Sequence, residues 1–281
     1  MKIGVNLSVT DWLDDFAAVA KQAEDLGFES IWISEHTFVP VKTDSRYAGT
    51  ADGSIPESMA HIADPFVCLA MAAAATSTIR LGTAVCLIPQ RHPLLLANEI
   101  ATLDHFSGGR FMLGAGTGWL REESEILGGD FDHRWTQAAE SIQVMKEIWA
   151  KDEAEYHGRY YDFPPIRSFP KPVQKPNPPI YLGGSAANVF KRVASYADGW
   201  LPTGRVSPDQ MKEGCNKLRQ VCEEMGRDYQ SIEISAYAQP PDLDLLHRYE
   251  EAGAHRAIVR AADYPGNPNL PSLEEIAEKV L

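Results

Sequence analysis

Residues 80–117 decide the fold. They read RLGTAVCLI (80–88), then PLLLANEIATLDHF (93–106), then FMLGAGT (111–117). The outer segments are short, largely apolar runs of strand length. The middle one, with Leu94, Leu95, Leu96 and Ile100, has helix length and spacing. Working outward, the same order repeats. Towards the N-terminus, KIGVNL (2–7) reads as a strand. Thr10 or Asp11 follows as a helix N-cap, with Trp12, Phe16, Val19, Ala23 and Leu26 at steps of three or four and Gly27 as a stop. SIWISE (30–35) is the second strand, and DPFVCLAMAAAATS (64–77) is a helix. Towards the C-terminus, an amphipathic helix over 134–150 carries Trp135, Ala138, Ile142, Met145 and Trp149. Then come PIYLGG (179–184) with helix 186–197, GWLPT (199–203) with helix 208–226, SIEISAY (231–237) with helix 242–252, and HRAIVR (255–260) with helix 272–280.

Eight strands, each followed by a helix, predict an α/β fold: a (β/α)₈ TIM barrel forming a single domain over 1–281. A doubly wound open sheet is the alternative, but eight such units would usually require a domain break. Two connections are long. Residues 37–62, after strand two, contain Pro40, Gly49, Gly53 and Pro56. Between strands four and five, seven of the 19 prolines fall between Pro164 and Pro179. Connections of this length at a barrel are commonly covers over its mouth, and both are read that way.

The 281 residues carry 26 basic and 39 acidic side chains, a net charge of −13. That balance argues against nucleic acid or an anionic membrane as partner, since both require a basic footprint. The longest apolar run, Phe66 to Ala75, is too short to span a bilayer, and MKIGVNLS lacks the apolar core of a secretion signal. Cys68, Cys86, Cys215 and Cys222 show neither CxxC nor metal-type spacing. They read as reduced, buried thiols of a cytoplasmic protein.

Barrel chemistry sits at the C-terminal ends of the strands. That rule selects Asn6, Glu35 and His36, Ala84 to Leu87, Thr117 to Trp119, Gly183 to Ser185, Thr203 to Arg205, Tyr237 to Gln239, and Arg260. No HExxH or close His/Asp cluster occurs, so no metal site is expected. The carboxylate pair of a retaining glycosidase is missing, and no lysine closes a strand for Schiff-base chemistry.

His36 is the only histidine at a strand end and is the candidate proton-transfer residue. Only one of Glu35 and His36 can aim into the barrel, because adjacent strand residues face opposite ways. Gly183-Gly184-Ser185 joins a strand to a helix, which suits a phosphate, with Ser185 as an extra donor. A plain tight turn with a Ser N-cap fits equally well. Lys191 and Arg192 could add positive charge there. Gly114 to Gly118 is glycine-rich but lacks dinucleotide-loop spacing, and small residues facing a planar ligand or a helix account for it as well. Arg91-His92-Pro93 is a candidate ligand contact. Asp104 and Arg110 read as a structural pair on the far face.

Taken together, LGTAVCLIPQRHPLLLANEIATLDHFSGGRFMLGAGTGW (81–119), PPIYLGGS (178–185) and ADGWLP (197–202) resemble the luciferase-like monooxygenase family, most closely its coenzyme F420-dependent oxidoreductase branch. The resemblance implies a reduced deazaflavin or flavin held in the barrel mouth. His36 matches the family's active-site histidine, and Ala84-Val85 the site of a non-proline cis peptide beside the ring. Thr117 and Gly118 match cofactor contacts, and Gly183 and Gly184 the phosphate loop. Sugar-phosphate dehydrogenases of that branch carry a glutamate where this chain has Trp119, so Trp119 suggests a flat or apolar substrate. The implied activity is hydride transfer between F420 and a small organic substrate. FMN, which carries a phosphate but no polyglutamate tail, is the alternative cofactor for so acidic a protein, with oxygen insertion by an FMNH2-dependent monooxygenase as its activity. A flavin-binding barrel without turnover is a third reading. Helix 64–77 is apolar or small nearly all round and lies beside helix 93–106, which predicts a homodimer through both.

Overall fold

The computed structural model describes residues 1–186, 188–204, 206–262 and 269–281. Eight strands close into a parallel barrel. They are β1 (Lys2–Leu7), β2 (Ser30–Ile33), β3 (Arg80–Thr83), β4 (Phe111–Gly116), β5 (Ile180–Gly183), β6 (Gly199–Leu201), β7 (Glu233–Gln239) and β8 (Arg256–Arg260). Each pairs in parallel with its sequence neighbour, and β8 pairs with β1 to complete the ring. Around it lie α1 (Phe16–Asp25), α2 (Pro65–Ala75), α3 (Pro93–Phe106), α4 (Arg121–Ile126), α5 (Arg134–Ala150), α6 (Val189–Tyr196), α7 (Pro208–Met225), α8 (Leu243–Glu251) and α9 (Leu273–Val280). This is the TIM barrel expected from the alternation.

Two apolar clusters hold it. The larger lies between strands and helices, through residues such as Leu69, Leu81, Ile100, Phe111, Ile142 and Leu218. The smaller fills the barrel interior with Trp32, Met112, Tyr181, Leu201 and Ile258. Gly82 makes room for Trp32, because a Cβ there would sit 2.3 Å from the indole. The lower end is closed by Arg256, fully buried between the Trp32 and Tyr181 rings. Its guanidinium donates to both carboxylate oxygens of Glu29 at 2.8 Å and lies 3.3 Å from Glu233. A charge so deep is tolerable because Nε and Nη2 meet carboxylates and Nη1 the Ser235 hydroxyl.

Four expectations need correction. The first helix begins at Phe16 with Asp15 as its cap, not at Thr10 or Asp11. Thr10 instead bridges Ile62, the Asp11 N–H donates to the His61 carbonyl, and the Leu13 N–H closes a turn on the Thr10 carbonyl at 3.1 Å. The run 80–88 is interrupted after Thr83, resuming as a two-residue strand at Cys86–Leu87. Helix α6 starts at Val189 with Asn188 before it, so Ser185 is not its N-cap; Ala187, inside the expected helix, lies outside the described residues. Residues 151–178 do not cover the mouth. They form an antiparallel hairpin, Ala154–His157 with Asp162–Ile166, laid along the outside of α3 and α5.

Asp104 and Arg110 do not pair either. Asp104 accepts from the backbone N–H groups of Val173 and Gln174 and from the Gln174 amide, fixing the end of that insertion. Arg110 donates to the carbonyls of Ala73, Thr76 and Ile79, tying off the end of α2. All four cysteines are free and buried. No helix among the described residues is long and apolar enough to cross a membrane.

Candidate functional site

The mouth is built from the ends of β2 to β5 and from α4. After β2 the chain turns Glu35 and His36 to opposite sides, as the alternation requires. Glu35 points away from the mouth. It accepts from the Leu87 N–H at 2.5 Å and from Arg91 Nε at 2.8 Å. Arg91 also binds Asp64 at 2.7 Å and lies over the Phe66 ring. This corrects Arg91 as a candidate ligand contact: its guanidinium is taken up by carboxylates.

His36 points into the mouth and is 9% exposed. Its Nδ1 lies 2.9 Å from Glu123 Oε2, and the Trp119 indole N–H donates to its Nε2 at 3.2 Å. Glu123, on α4, is fully buried. Its other oxygen accepts from the Thr37 N–H at 2.8 Å, and the Gln90 amide reaches Oε2 at 3.3 Å. An indole N–H can only donate, so Nε2 carries the lone pair and the ring proton sits on Nδ1, facing the carboxylate.

The adjacent Glu122 does different work. Its carboxylate accepts from the N–H groups of Asp44 and Ser45 at 2.7 and 3.1 Å. Burial opposes its ionisation, but these bonds, with the Ser45 and Thr43 hydroxyls, outweigh it and hold its pKa at about 2. Ser45 also accepts from the Arg121 N–H, and the Tyr47 ring lies 5.3 Å from that of Trp119. Segment 37–62 therefore does rest against the mouth, fastened to α4.

After β3, the strand next to that of His36, stands Val85, half-buried at the cis Ala84–Val85 peptide. Its methyls occupy the space that side chains at Gly116 and Gly183 would fill: added Cβ atoms there would lie 2.4 and 3.1 Å away. Both glycines thus make room for a valine shelf. The Ala84 carbonyl accepts from the Tyr237 hydroxyl at 3.1 Å, which fixes the shelf from below. Thr117 is buried, while Gly118 takes a φ of +76° beside Gln90. The Gln90 Oε1 is buried there without a hydrogen-bond partner.

Beyond the shelf, Gly184 has a φ of +105°, and its carbonyl accepts from the Trp200 indole at 2.9 Å. Ser185 is exposed beside it. Trp135 approaches Gly184, and the Arg192 guanidinium lies 4.5 Å over the Trp135 ring; Lys191 faces solvent. Burial, and then the Arg121 and Arg192 charges, lower the pKa of Arg134. Neither Arg134 nor Arg192 has a carboxylate in ion-pair contact among the described residues. Arg192, over the Trp135 ring that approaches Gly184, is a cation that could meet a phosphate at this turn, whereas Arg134 lies over the Phe131 ring. Arg205, also on the strand-end roster, lies outside the described residues. No cluster able to hold a metal occurs among those described.

Sequence reasoning brought His36, Ala84, Val85, Thr117, Gly118 and Trp119 to one mouth, with Gly183, Gly184 and Ser185 at its far side. It missed Glu123 and Gln90, and it selected Tyr237 as a strand-end residue without giving it a role. Gln90 lies three residues beyond Leu87, next to the candidate Arg91, and could have been included; Glu123 gave no comparable signal.

Comparison with known proteins agrees with this architecture. The chain is 35% identical over its full length to an uncharacterised protein of Mycobacterium tuberculosis, covering 99% of that protein. It is 27% identical to an F420-dependent glucose-6-phosphate dehydrogenase of Amycolatopsis mediterranei over 83% of this chain and 68% of the other. An FMNH2-dependent dimethylsulfone monooxygenase of Pseudomonas putida is 31% identical over 61% of this chain and 46% of its own. The F420-dependent tetrahydromethanopterin reductase of Methanopyrus kandleri superposes with a TM-score of 0.76 at 18% identity, covering 100% of this chain and 99% of the other, which shows a shared fold. Members with these names use a deazaflavin or a flavin. The profile of the luciferase-like monooxygenase family matches residues 1–241, and the chain belongs to that family.

Proposed function

We propose that this protein is an F420-dependent oxidoreductase that transfers a hydride between the deazaflavin and a small organic substrate, with His36 moving the accompanying proton. The observation that carries the reading is His36 Nε2 in the barrel mouth, an accepting nitrogen bonded to the Trp119 indole N–H. The residues present fit the cofactor. Val85 and the Ala84 carbonyl would back a planar ring, Thr117, Gly118 and Gln90 would meet its edge, and Gly183 to Ser185 with Arg192 would receive its phosphate. When bound, the deazaflavin supplies two-electron hydride chemistry. The protein contributes orientation, an aromatic wall from Trp119 and Tyr47, exclusion of water by segment 37–62, and a proton at Nε2.

The net charge of −13 and the 31% identity to an FMNH2-dependent monooxygenase favour the second reading, FMN with oxygen insertion. Anaerobic oxidation of reduced F420 with a panel of carbonyl and enone acceptors, run beside oxygen uptake with FMNH2, separates the two. The first reading expects F420-linked turnover that falls ~10²–10⁴-fold in His36→Ala. Oxygen uptake with FMNH2 and no F420 turnover would replace it with the second.

We further propose a homodimer through α2 and α3. Val67, Ala70, Met71 and Ala74 form an exposed apolar stripe on α2, and Leu95 and Phe106 are exposed on α3. A helix facing water would carry polar residues there.

A further inference from the structure

We infer that Glu123 is the positioning residue of the site: its buried carboxylate keeps the proton of His36 on Nδ1, so that Nε2 is the one ring atom offered to substrate. Three donors converge on this carboxylate: His36 Nδ1 at 2.9 Å, the Thr37 N–H at 2.8 Å and the Gln90 amide at 3.3 Å. It therefore grips both the imidazole and the backbone that carries it. The Trp119 N–H on Nε2 reports the same tautomer from the other side, since that bond requires an accepting nitrogen.

The same geometry defines what can enter. Trp119 Nε1–H and His36 Nε2 form a donor and an acceptor only 3.2 Å apart. A substrate hydroxyl that displaces this bond, the indole moving aside, would accept from the indole and donate to the imidazole. Loss of its proton to Nε2 would then leave an imidazolium whose Nδ1–H is already bonded to Glu123. In reverse, a carbonyl oxygen would take the proton from Nε2. Both directions balance with one hydride given to or taken from the deazaflavin.

Glu123→Gln keeps the shape but not the bonding. If the amide oxygen keeps the Thr37 N–H, its NH₂ faces His36 and forces the proton to Nε2, where it opposes the Trp119 N–H. If the oxygen keeps His36, the NH₂ opposes the Thr37 N–H. Either way one buried hydrogen bond is lost.

The inference rests on the proton-transfer reading of His36 for its kinetic consequence but not for its structural one. The first test is the tautomer itself, by two-bond ¹⁵N–¹H correlation spectra of ¹⁵N-histidine-labelled protein. Among the eight histidines, His36 is assigned by its absence in His36→Ala. Wild type should show the Nδ1–H form, Trp119→Phe should retain it, and Glu123→Gln should shift His36 towards Nε2–H. With an active substrate, Glu123→Gln should lower kcat ~10²–10⁴-fold, leave KM nearly unchanged and displace the pH–rate profile. An Nε2–H tautomer in wild type overturns the inference whether or not F420 is the cofactor, as does an unchanged tautomer and pH profile in Glu123→Gln. An Nδ1–H tautomer in a protein without F420 turnover would instead overturn the functional reading and leave Glu123 in its role.

Discussion

Replacing Gly116 by alanine tests whether the Val85 shelf shapes the mouth. The new Cβ would fall 2.4 Å from Val85 Cγ2 and 3.2 Å from Val85 Cβ. Carbon atoms rest at ~3.5–4.0 Å, so valine must retreat by roughly 1 Å. It has little freedom to do so. Its side chain is β-branched, and the preceding Ala84 carbonyl is held by Tyr237 at 3.1 Å. Gly116 has no positive φ, so alanine is acceptable to the backbone and the clash alone is measured. Overpacking of this kind costs about 1–3 kcal/mol. At ~2–4 °C per kcal/mol in a domain of this size, the Tm should fall by about 2–12 °C.

The larger effect should be on ligand affinity, because Val85 moves into the space a planar ring would occupy. Displacement worth ~1.4 kcal/mol weakens binding about tenfold. Gly183→Ala, whose Cβ would meet Val85 Cγ1 at 3.1 Å, provides a milder comparison. Thermal unfolding and titration with F420 and with FMN measure both quantities. Gly116→Ala with wild-type Tm and wild-type affinity for whichever ligand binds would refute the shelf.

Acid should loosen the barrel floor. Burial opposes ionisation of Glu233, but Arg256, Lys2 and Tyr181 hold its pKa at about 2, against an ordinary 4.5. Because the folded value is the lower one, its contribution of about 3 kcal/mol is complete above pH 4.5 and disappears as the pH falls towards 2. Wild type should therefore lose more stability than Glu233→Gln between pH 5 and about 2.5 in denaturant titrations; parallel curves would contradict the linkage. Met71→Glu, on the exposed stripe of α2, should convert a dimer to monomer in light scattering at micromolar concentration, and a wild-type monomer would remove the proposed interface.

The barrel was legible because its signal repeats. Strand runs such as KIGVNL and HRAIVR alternate with helices at nearly constant spacing, and α3 and α5 occupy the residues expected of them. The failures have local causes. Trp12 matched the helical spacing of Phe16 and Val19, yet Thr10 found a strand partner at Ile62, a contact no local pattern encodes. DFPPI (162–166) carries two prolines and reads as loop, but a two-stranded hairpin tolerates proline at its edges.

The site divides in the same way. His36 was readable because histidine is rare at a strand end and the mouth is a fixed place in a barrel. Glu123 was not. It lies 87 residues away, on a helix of six residues, beside Glu122 and Glu125 in what reads as a solvated acidic face. Only the closed barrel buries that carboxylate against His36. Nor does sequence tell which of two neighbouring acids turns inward, although Glu122 and Glu123 hold different parts of the mouth.

Cofactor choice is the centre of the account, and equilibrium binding tests it most directly. F420 and FMN, each oxidised and reduced, would be titrated into the purified apoprotein at two salt concentrations. The account predicts selective F420 binding that weakens with salt, as contact with the phosphate and the acidic tail requires. Selective FMN binding, with F420 excluded, would contradict it and move the protein to oxygen-inserting chemistry.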